Sequence, residues 1–187
     1  LHYTFDSDSG TNVMDSSGNG LDGTSQGATN SDLGFMGKAM DFARNDCVAA
    51  PVGPALNLSL SNEMSYAFWW RADSLDAGQD CLVSKRTAAA GDKGLWFGIA
   101  SGDVYYLVLA IGHCVQFNAP IQTGVWSQVV LTKTGTVWRV FHNGTELSAS
   151  GGTGWPYAFD PHADTPLLFG KDGRLAGTFD GQMDEIK

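Results

Sequence analysis

Residues 126–147 read WSQVVLTKTGTVWRVFHNGTEL, and two β-strands can be traced in them. Residues 126–133 and 137–142 are rich in Val, Thr, Trp and Phe, which suit a pleated, packed surface. Thr134-Gly135-Thr136 joins the two runs. Asn143-Gly144 marks a second tight turn, because a type I′ turn needs positive φ at both central positions. Apolar side chains fall on both alternation sets, Val129 and Leu131 on one, Trp126 and Val130 on the other. A strand wetted on one side alternates more cleanly, so this hairpin belongs inside a layered β structure.

The rest of the chain is cut from the same material. Its 187 residues can bury a sizeable core within one domain. Charged residues make up 17% of the chain, against about 25% in average domains. The 24 glycines recur with turn dipeptides, the pattern of short strands and long surface loops. A net charge of −9 argues against duplex nucleic acid as the partner, since phosphate binding needs clustered Lys or Arg, and is compatible with cations. No apolar run approaches a membrane span and no signal peptide opens the chain. A start at Leu1 and a strand-like end at Lys187 suggest a module excised from a larger protein with flanking domains. Cys47, Cys81 and Cys114 fit no zinc pattern and allow at most one disulfide, of unassigned pairing.

In chain order, Leu1 to Phe5 alternate as a strand, and a polar loop follows over residues 6–24. Strands are expected at Ala39–Phe42, Cys47–Ala50 and 64–71. In the last, Met64, Tyr66, Phe68 and Trp70 face one way and Ser65, Ala67, Trp69 and Arg71 the other. Leu56–Leu60 is a short apolar alternation. Further strands are expected at Cys81–Lys85, Leu95–Ser101, Val104–Ile111 and His113–Asn118. Ser148–Pro166 reads as a long loop, and Leu167–Gly170 and Phe179–Ile186 close the chain. With no helix in evidence, the fold class is all-β, two packed antiparallel sheets.

Four stretches carry a family resemblance: YTFDSDSGTNVMDSSGNGLDGT (3–24), KAMDFARNDCV (38–48), SYAFWWRAD (65–73), and VWSQVVLT with VWRVFHNGTEL, PLLFGK and GTFDGQMDEIK. The chain resembles a laminin-G-like jelly roll of the concanavalin A-like lectin/glucanase superfamily. Cys47 departs from the pattern, standing where an aromatic is usual. The resemblance spans nearly the whole chain with its elements in order. It implies a two-sheet jelly-roll sandwich over residues 1–187.

The resemblance also implies a structural Ca²⁺ where the first loop meets the last strand, with Asp6 and Asp184 as ligands and Asn19 and Asp22 as loop candidates. The loop itself is dense in oxygen donors, including Asp8 and Asp15, and its glycines let carbonyls converge as calcium requires. By composition alone it reads as an ordinary solvated turn-rich loop. EF-hand spacing is absent.

Catalytic signatures are missing. Asp180, Gln182 and Asp184 share a strand face, but Gln182 puts an amide where a glucanase-like arrangement needs a carboxylate. The Glu-x-Asp-x-x-Glu pattern of laminarinase-like enzymes and a Gly-x-Ser-x-Gly elbow are both absent. His142 shares a face with Trp138 and Val140 and reads as an interior or rim histidine rather than a general base.

Sugar recognition pairs aromatic faces with polar side chains that bond hydroxyls. Candidates in the 148–166 loop are Trp155 and Tyr157 with His162 and Asp164. A second group on strands comprises Trp96, Tyr105, Tyr106, His113, Gln116 and Arg71. Trp69, Trp70, Trp126 and Trp138 are assigned to the core. The expectation is a secreted or cell-surface, non-catalytic module, carbohydrate-binding and lectin-like, with one calcium site. A structural or protein–protein adhesion module is the alternative, and a divergent glycoside hydrolase or polysaccharide lyase the third.

Overall fold

A computed structural model describes residues 1–56, 63–76, 78–86, 94–100, 104–110, 113–153, 165–173 and 179–187. In chain order the strands are β1 (Asn12–Val13), β2 (Gly23–Gln26), β3 (Thr29–Ser31), β4 (Ala39–Phe42), β5 (Cys47–Ala49), β6 (Glu63–Ser74), β7 (Gln79–Arg86), β8 (Gly94–Ala100), β9 (Val104–Ala110), β10 (His113–Asn118), β11 (Ser127–Thr134), β12 (Val137–His142), β13 (Thr145–Glu146), β14 (Ala149–Thr153), β15 (Leu168–Phe169) and β16 (Asp180–Asp184). Among the described residues the helical content is one 3-10 turn at Pro54–Leu56, and no helix is long and apolar enough to cross a membrane.

Two antiparallel sheets result. One has nine strands in the order β1-β2-β5-β15-β7-β8-β9-β10-β14, the other seven in the order β13-β12-β11-β6-β16-β4-β3. The β11–β12 hairpin forms as the sequence suggests, pairing from Val129↔His142 to Thr134↔Val137. Its turn residue Gly135 has φ +59°, and both Asn143 (+48°) and Gly144 (+79°) are positive, as a type I′ turn demands.

The core lies between the sheets. Strand β6 sends Tyr66, Phe68, Trp70 and Ala72 inward, and β11 sends Val129 and Leu131. Phe97, Ile99, Tyr105, Leu107 and Phe169 meet them from the nine-stranded sheet. Each such side chain removed from water contributes about 1.5–3 kcal/mol, and the interlock of large aromatics fixes the distance between the sheets. Trp70 Nε1 donates to Tyr105 Oη (3.2 Å), and Tyr105 Oη lies 3.0 Å from His142 Nδ1. His142 is therefore an interior histidine with a partner, and burial lowers its pKa.

Several elements differ from expectation. Residues 1–5 form a single bridge, Tyr3↔Ile186, rather than a strand, because Phe5 turns the chain at φ +61°. The polar loop contributes β1 and the start of β2, which pair Asn12↔Thr24 and Val13↔Gly23. The expected long loop begins with a strand: β14 pairs with β10 from Phe117↔Ala149 to Cys114↔Thr153. The alternation at 56–60 lies outside the described residues beyond Leu56, and so do residues 101–103 between the expected strands Leu95–Ser101 and Val104–Ile111. Gly181 takes φ +149° at a register shift in β16, where a Cβ would run into the backbone of Arg71 and Ala72.

Candidate functional site

Two features stand out, an acidic junction at the paired chain ends and an aromatic patch on the outer face of the seven-stranded sheet. A single loop connects them. Residues 33–38 leave edge strand β3 and turn at Gly34, whose N–H bonds Gly37 O (3.1 Å). Within this loop Met36 N–H donates to Asp184 Oδ2 (2.8 Å), and Lys38 N–H donates to Asp6 Oδ1 (2.9 Å).

At the junction Asp184 is fully buried, and its other oxygen accepts from Glu185 N–H (2.7 Å). Burial pushes its pKa up to about 6, with repulsion from Glu185 and Asp6 adding to the rise. Asp6 and Asp184 are thus brought within electrostatic reach, each beside a non-glycine residue at positive φ, Phe5 (+61°) and Glu185 (+53°). Such backbone costs on the order of 1–2 kcal/mol per residue. Asp8 joins them. Burial raises its pKa first, repulsion from Asp6 and Asp22 contributes, and its Oδ2 is buried without a hydrogen-bond partner.

Asn19 and Asp22 are committed elsewhere. Asp22 Oδ1 accepts from Asp15 N–H (2.8 Å), and Asn19 Nδ2 donates to Ser17 Oγ (2.9 Å). Asp15 organises this turn, taking N–H bonds from His2, Ser17 and Leu21 and the Ser17 hydroxyl. Burial alone would raise the Asp15 pKa, but those bonds outweigh it and hold the carboxyl well below the usual range. Among the described residues no three His, Cys, Asp or Glu side chains converge as a metal cage. What the junction offers is two carboxylates, Asp6 and Asp184, both already taking backbone N–H bonds, and one buried oxygen of Asp8 without a hydrogen-bond partner.

Trp69 and Trp126 are not core residues as expected but half-buried on the outer face. Only Trp70 and Trp138 of that four lie inside, since odd-numbered residues of β6 and even-numbered ones at the start of β11 face outward. Phe35, 41% exposed, lies flat on Trp69 with ring centroids 3.5 Å apart and planes at 10°. Its centroid is 6.2 Å from that of Trp126, which it meets edge-on. Arg71 sets its guanidinium 5.8 Å from the Trp126 ring centre. Leu33, Met36 and Val125 are exposed around the patch. Phe35 carried no signal in the sequence, being a loop aromatic between Gly34 and Gly37.

The other expected ligand residues divide. Arg71 is on this face. Tyr105 is not available to a ligand, because its ring is fully buried in the core and its hydroxyl serves Trp70 and His142. Trp96 is likewise fully buried, with the Arg86 guanidinium 5.7 Å from its ring centre. Arg86 in turn makes a buried two-point ion pair with Asp172, Nε to Oδ1 at 3.0 Å and Nη2 to Oδ2 at 2.6 Å. His113, Tyr106 and Gln116 are half-buried on β9 and β10. Trp155, Tyr157, His162 and Asp164 lie outside the described residues.

Two further places have the makings of a site. Asp76, Asp80 and Asp180 gather near Arg44 at the far end of β16. Burial pushes the Asp80 carboxyl up to about 6, repulsion from Asp76 and Asp180 adds to that, and Arg44 Nη1 stands 3.7 Å from its Oδ1. Arg44 also bonds Asp76 and Ser74, and Ser74 Oγ donates to Asp180, while Asp80 Oδ1 is buried without a hydrogen bond. A groove of about 540 Å³ opens between the β10–β14 and β12–β13 edges, lined by Phe117, Trp138, Arg139, Glu146 and Leu147 among others.

Solved structures share this architecture. Domain 4 of AbnA, an extracellular GH43 arabinanase of Geobacillus stearothermophilus in complex with arabinotriose, superposes with TM-score 0.70 at 21% identity. The match covers 99% of this chain and 88% of that one. Trypanosoma rangeli sialidase in complex with sialic acid gives 0.74 at 16% identity, over 99% of this chain and 29% of that one. A botulinum neurotoxin type C structure, described as dependent on two ganglioside molecules for cell entry, gives 0.71 at 12% identity over 100% and 46%. The chain thus spans most of the arabinanase domain but less than half of the toxin chain and under a third of the sialidase. No curated protein matches it in sequence. At these identities the likeness shows the fold. Residues 43–187 match a family model, and on that match the chain belongs to the concanavalin A-like lectin/glucanases superfamily.

Proposed function

We propose that this chain is a non-catalytic, extracellular carbohydrate-binding module with a structural calcium site at the junction of its ends. The observation that carries the reading is the aromatic patch. A fold with ample interior for large rings leaves Phe35, Trp69 and Trp126 together on an outer sheet face beside a guanidinium. Aromatic faces flanked by polar groups are the usual means of holding a sugar ring. The arabinotriose of the AbnA domain and the gangliosides named for the neurotoxin support a saccharide as ligand class. The AbnA domain, from an extracellular enzyme, supports the same setting here.

The calcium reading rests on Asp6, which repels both Asp8 and Asp184, a repulsion that a divalent ion relieves. The non-catalytic reading is supported by the ties of Asp76 to Arg44 and of Asp180 to Ser74, which leave Asp80 as the one carboxyl of that group without a hydrogen-bonded side-chain partner among the described residues. Trp155 and Tyr157, with His162 and Asp164, are proposed as a second contact. A protein ligand on the aromatic face is the alternative, favoured by the exposure of Leu33 and Met36.

A glycan array followed by titration calorimetry tests this on wild type, Trp126→Ala and Trp155→Ala. Saccharide binding that Trp126→Ala removes is the expected result. Binding to no saccharide, in calcium and at several pH values, sinks the reading.

A further inference from the structure

We infer that the outer face of the seven-stranded sheet is a subsite for a neutral saccharide, where Trp126 carries a sugar ring and Arg71 and Gln182 share one of its hydroxyls. This rests on the carbohydrate-binding reading and adds a place, a ligand class and two hydroxyl-reading residues.

The sheet register supplies the arrangement. Gln182 of β16 pairs with Arg71 of β6 on one side and with Asp41 of β4 on the other. Trp126 directly precedes β11, which neighbours β6, and its ring takes the Arg71 guanidinium at 5.8 Å. Carboxylate, amide, guanidinium and indole thus stand side by side across four strands. Three inter-strand spacings make about 14 Å, enough for a short oligosaccharide.

Two atoms in this row lack partners. Gln182 is 5% exposed, and its Nε2 donates to Ser31 Oγ at 2.8 Å, but its buried Oε1 has no hydrogen bond. The buried Nε–H of Arg71 has none either. One is an acceptor and the other a donor on adjacent strands, and a polar group shut away from water is costly to leave unpaired. A hydroxyl accepts from the Nε–H and donates to Oε1, so a single sugar hydroxyl completes both. The Arg71 side chain is about a quarter exposed, held to Asp73 by one contact of 3.3 Å and set 5.8 Å from the Trp126 ring centre, so it must shift to admit that group.

Charge sets the class. Asp73 already compensates the Arg71 cation, while Asp41 stands beside Gln182 on β4. With the chain at −9, uronates, sialosides and sulfated sugars meet repulsion here. A neutral ring meets an apolar face at Trp126 and a hydroxyl-sized gap at Arg71 and Gln182.

The test is affinity electrophoresis and calorimetry on neutral arabinan, galactan, xylan and β-glucan, against polygalacturonate and sialyllactose. Wild type is compared with Trp126→Ala, Arg71→Met and Gln182→Met. Expected are binding to at least one neutral polysaccharide, at least about tenfold weaker binding to the acidic ones, and loss in Trp126→Ala. The two Met variants should each weaken binding about tenfold, the loss of one hydroxyl contact, with cooperative melting that shows both still folded. If Gln182→Met fails to fold, Arg71→Met, at the more exposed member of the pair, carries the test with Trp126→Ala. Neutral-sugar binding that ignores all three substitutions, or a preference for acidic sugars, overturns the subsite while leaving the carbohydrate reading intact. Binding to no saccharide overturns both.

Discussion

Phe35 covers Trp69 face to face, 3.5 Å between ring centroids, and does so from the loop whose backbone bonds Asp6 and Asp184. The aromatic patch and the acidic junction therefore share one short support. Removing the ring by Phe35→Ala uncovers Trp69 and gives up an aromatic pair worth about 0.5–1.5 kcal/mol. The expected signs are a slightly lowered unfolding midpoint and a red shift of tryptophan emission. An unshifted spectrum would mean that the stack does not persist in solution.

The proposed calcium ion would act through the same support. Thermal unfolding in excess EDTA and then in restored Ca²⁺ should show stabilisation of about 2.7 kcal/mol at a free-ion level ~100 times the dissociation constant. Asp184→Ala should abolish the difference. Equal midpoints with and without calcium in the wild type would reduce the junction to a capped turn.

Tyr105 tests the interior. Its hydroxyl accepts from Trp70 Nε1 and lies beside His142 Nδ1, all three groups being buried. Tyr105→Phe keeps the ring and strands both partners, at a cost of about 1–3 kcal/mol in chemical denaturation. It should leave saccharide binding unchanged, because the ring faces the core.

The Arg86–Asp172 pair gives a larger effect. Both side chains are almost wholly buried and bonded at two points. Asp172→Ala leaves a buried guanidinium uncompensated and should cost about 3–5 kcal/mol, whereas the double change Arg86→Met with Asp172→Leu should recover most of it. A double variant no more stable than the single one would contradict this.

Asp80 sets a pH dependence. Its folded-state pKa of about 6 stands above the ordinary carboxylate value, chiefly through burial. The fold therefore holds a proton on Asp80 that the unfolded chain releases near pH 4, so this group's contribution to stability falls as pH rises from 4 through 6. Asp80→Asn should raise the unfolding midpoint at pH 7.5, by about 2–4 °C for each kcal/mol recovered. The gap should close as pH falls towards 4. An Asn variant less stable than wild type at pH 7.5 would mean that Arg44 already compensates the charge.

The β11–β12 hairpin was legible because Val, Thr and aromatic runs bracket turn residues with one physical use each, and the register followed. Strand β14 was not. Ala-Ser-Gly-Gly-Thr has little strand propensity of its own, and its extended form comes from pairing with β10. The faces were harder still. Trp69 and Trp70 are neighbours, so one must point out, but β6 carries apolar residues on both alternation sets and only the other sheet decides which is inside. The approach of Asp6 to Asp184 came from family resemblance, since 178 residues separate them. Their link to Phe35 needed the loop path. The pairing of Arg71 with Gln182 needed the strand order.

Tyr3 and Ile186 exchange both backbone bonds, and His2 meets Glu185 at 2.9 Å one step away. A chain whose beginning and end lie side by side is topologically near a ring. New ends could be cut at Gly135, in the exposed turn of the central hairpin, and the old ones joined by a few residues with little loss. For the same reason the whole unit could be spliced into a surface loop of another protein while barely parting that protein's own strands.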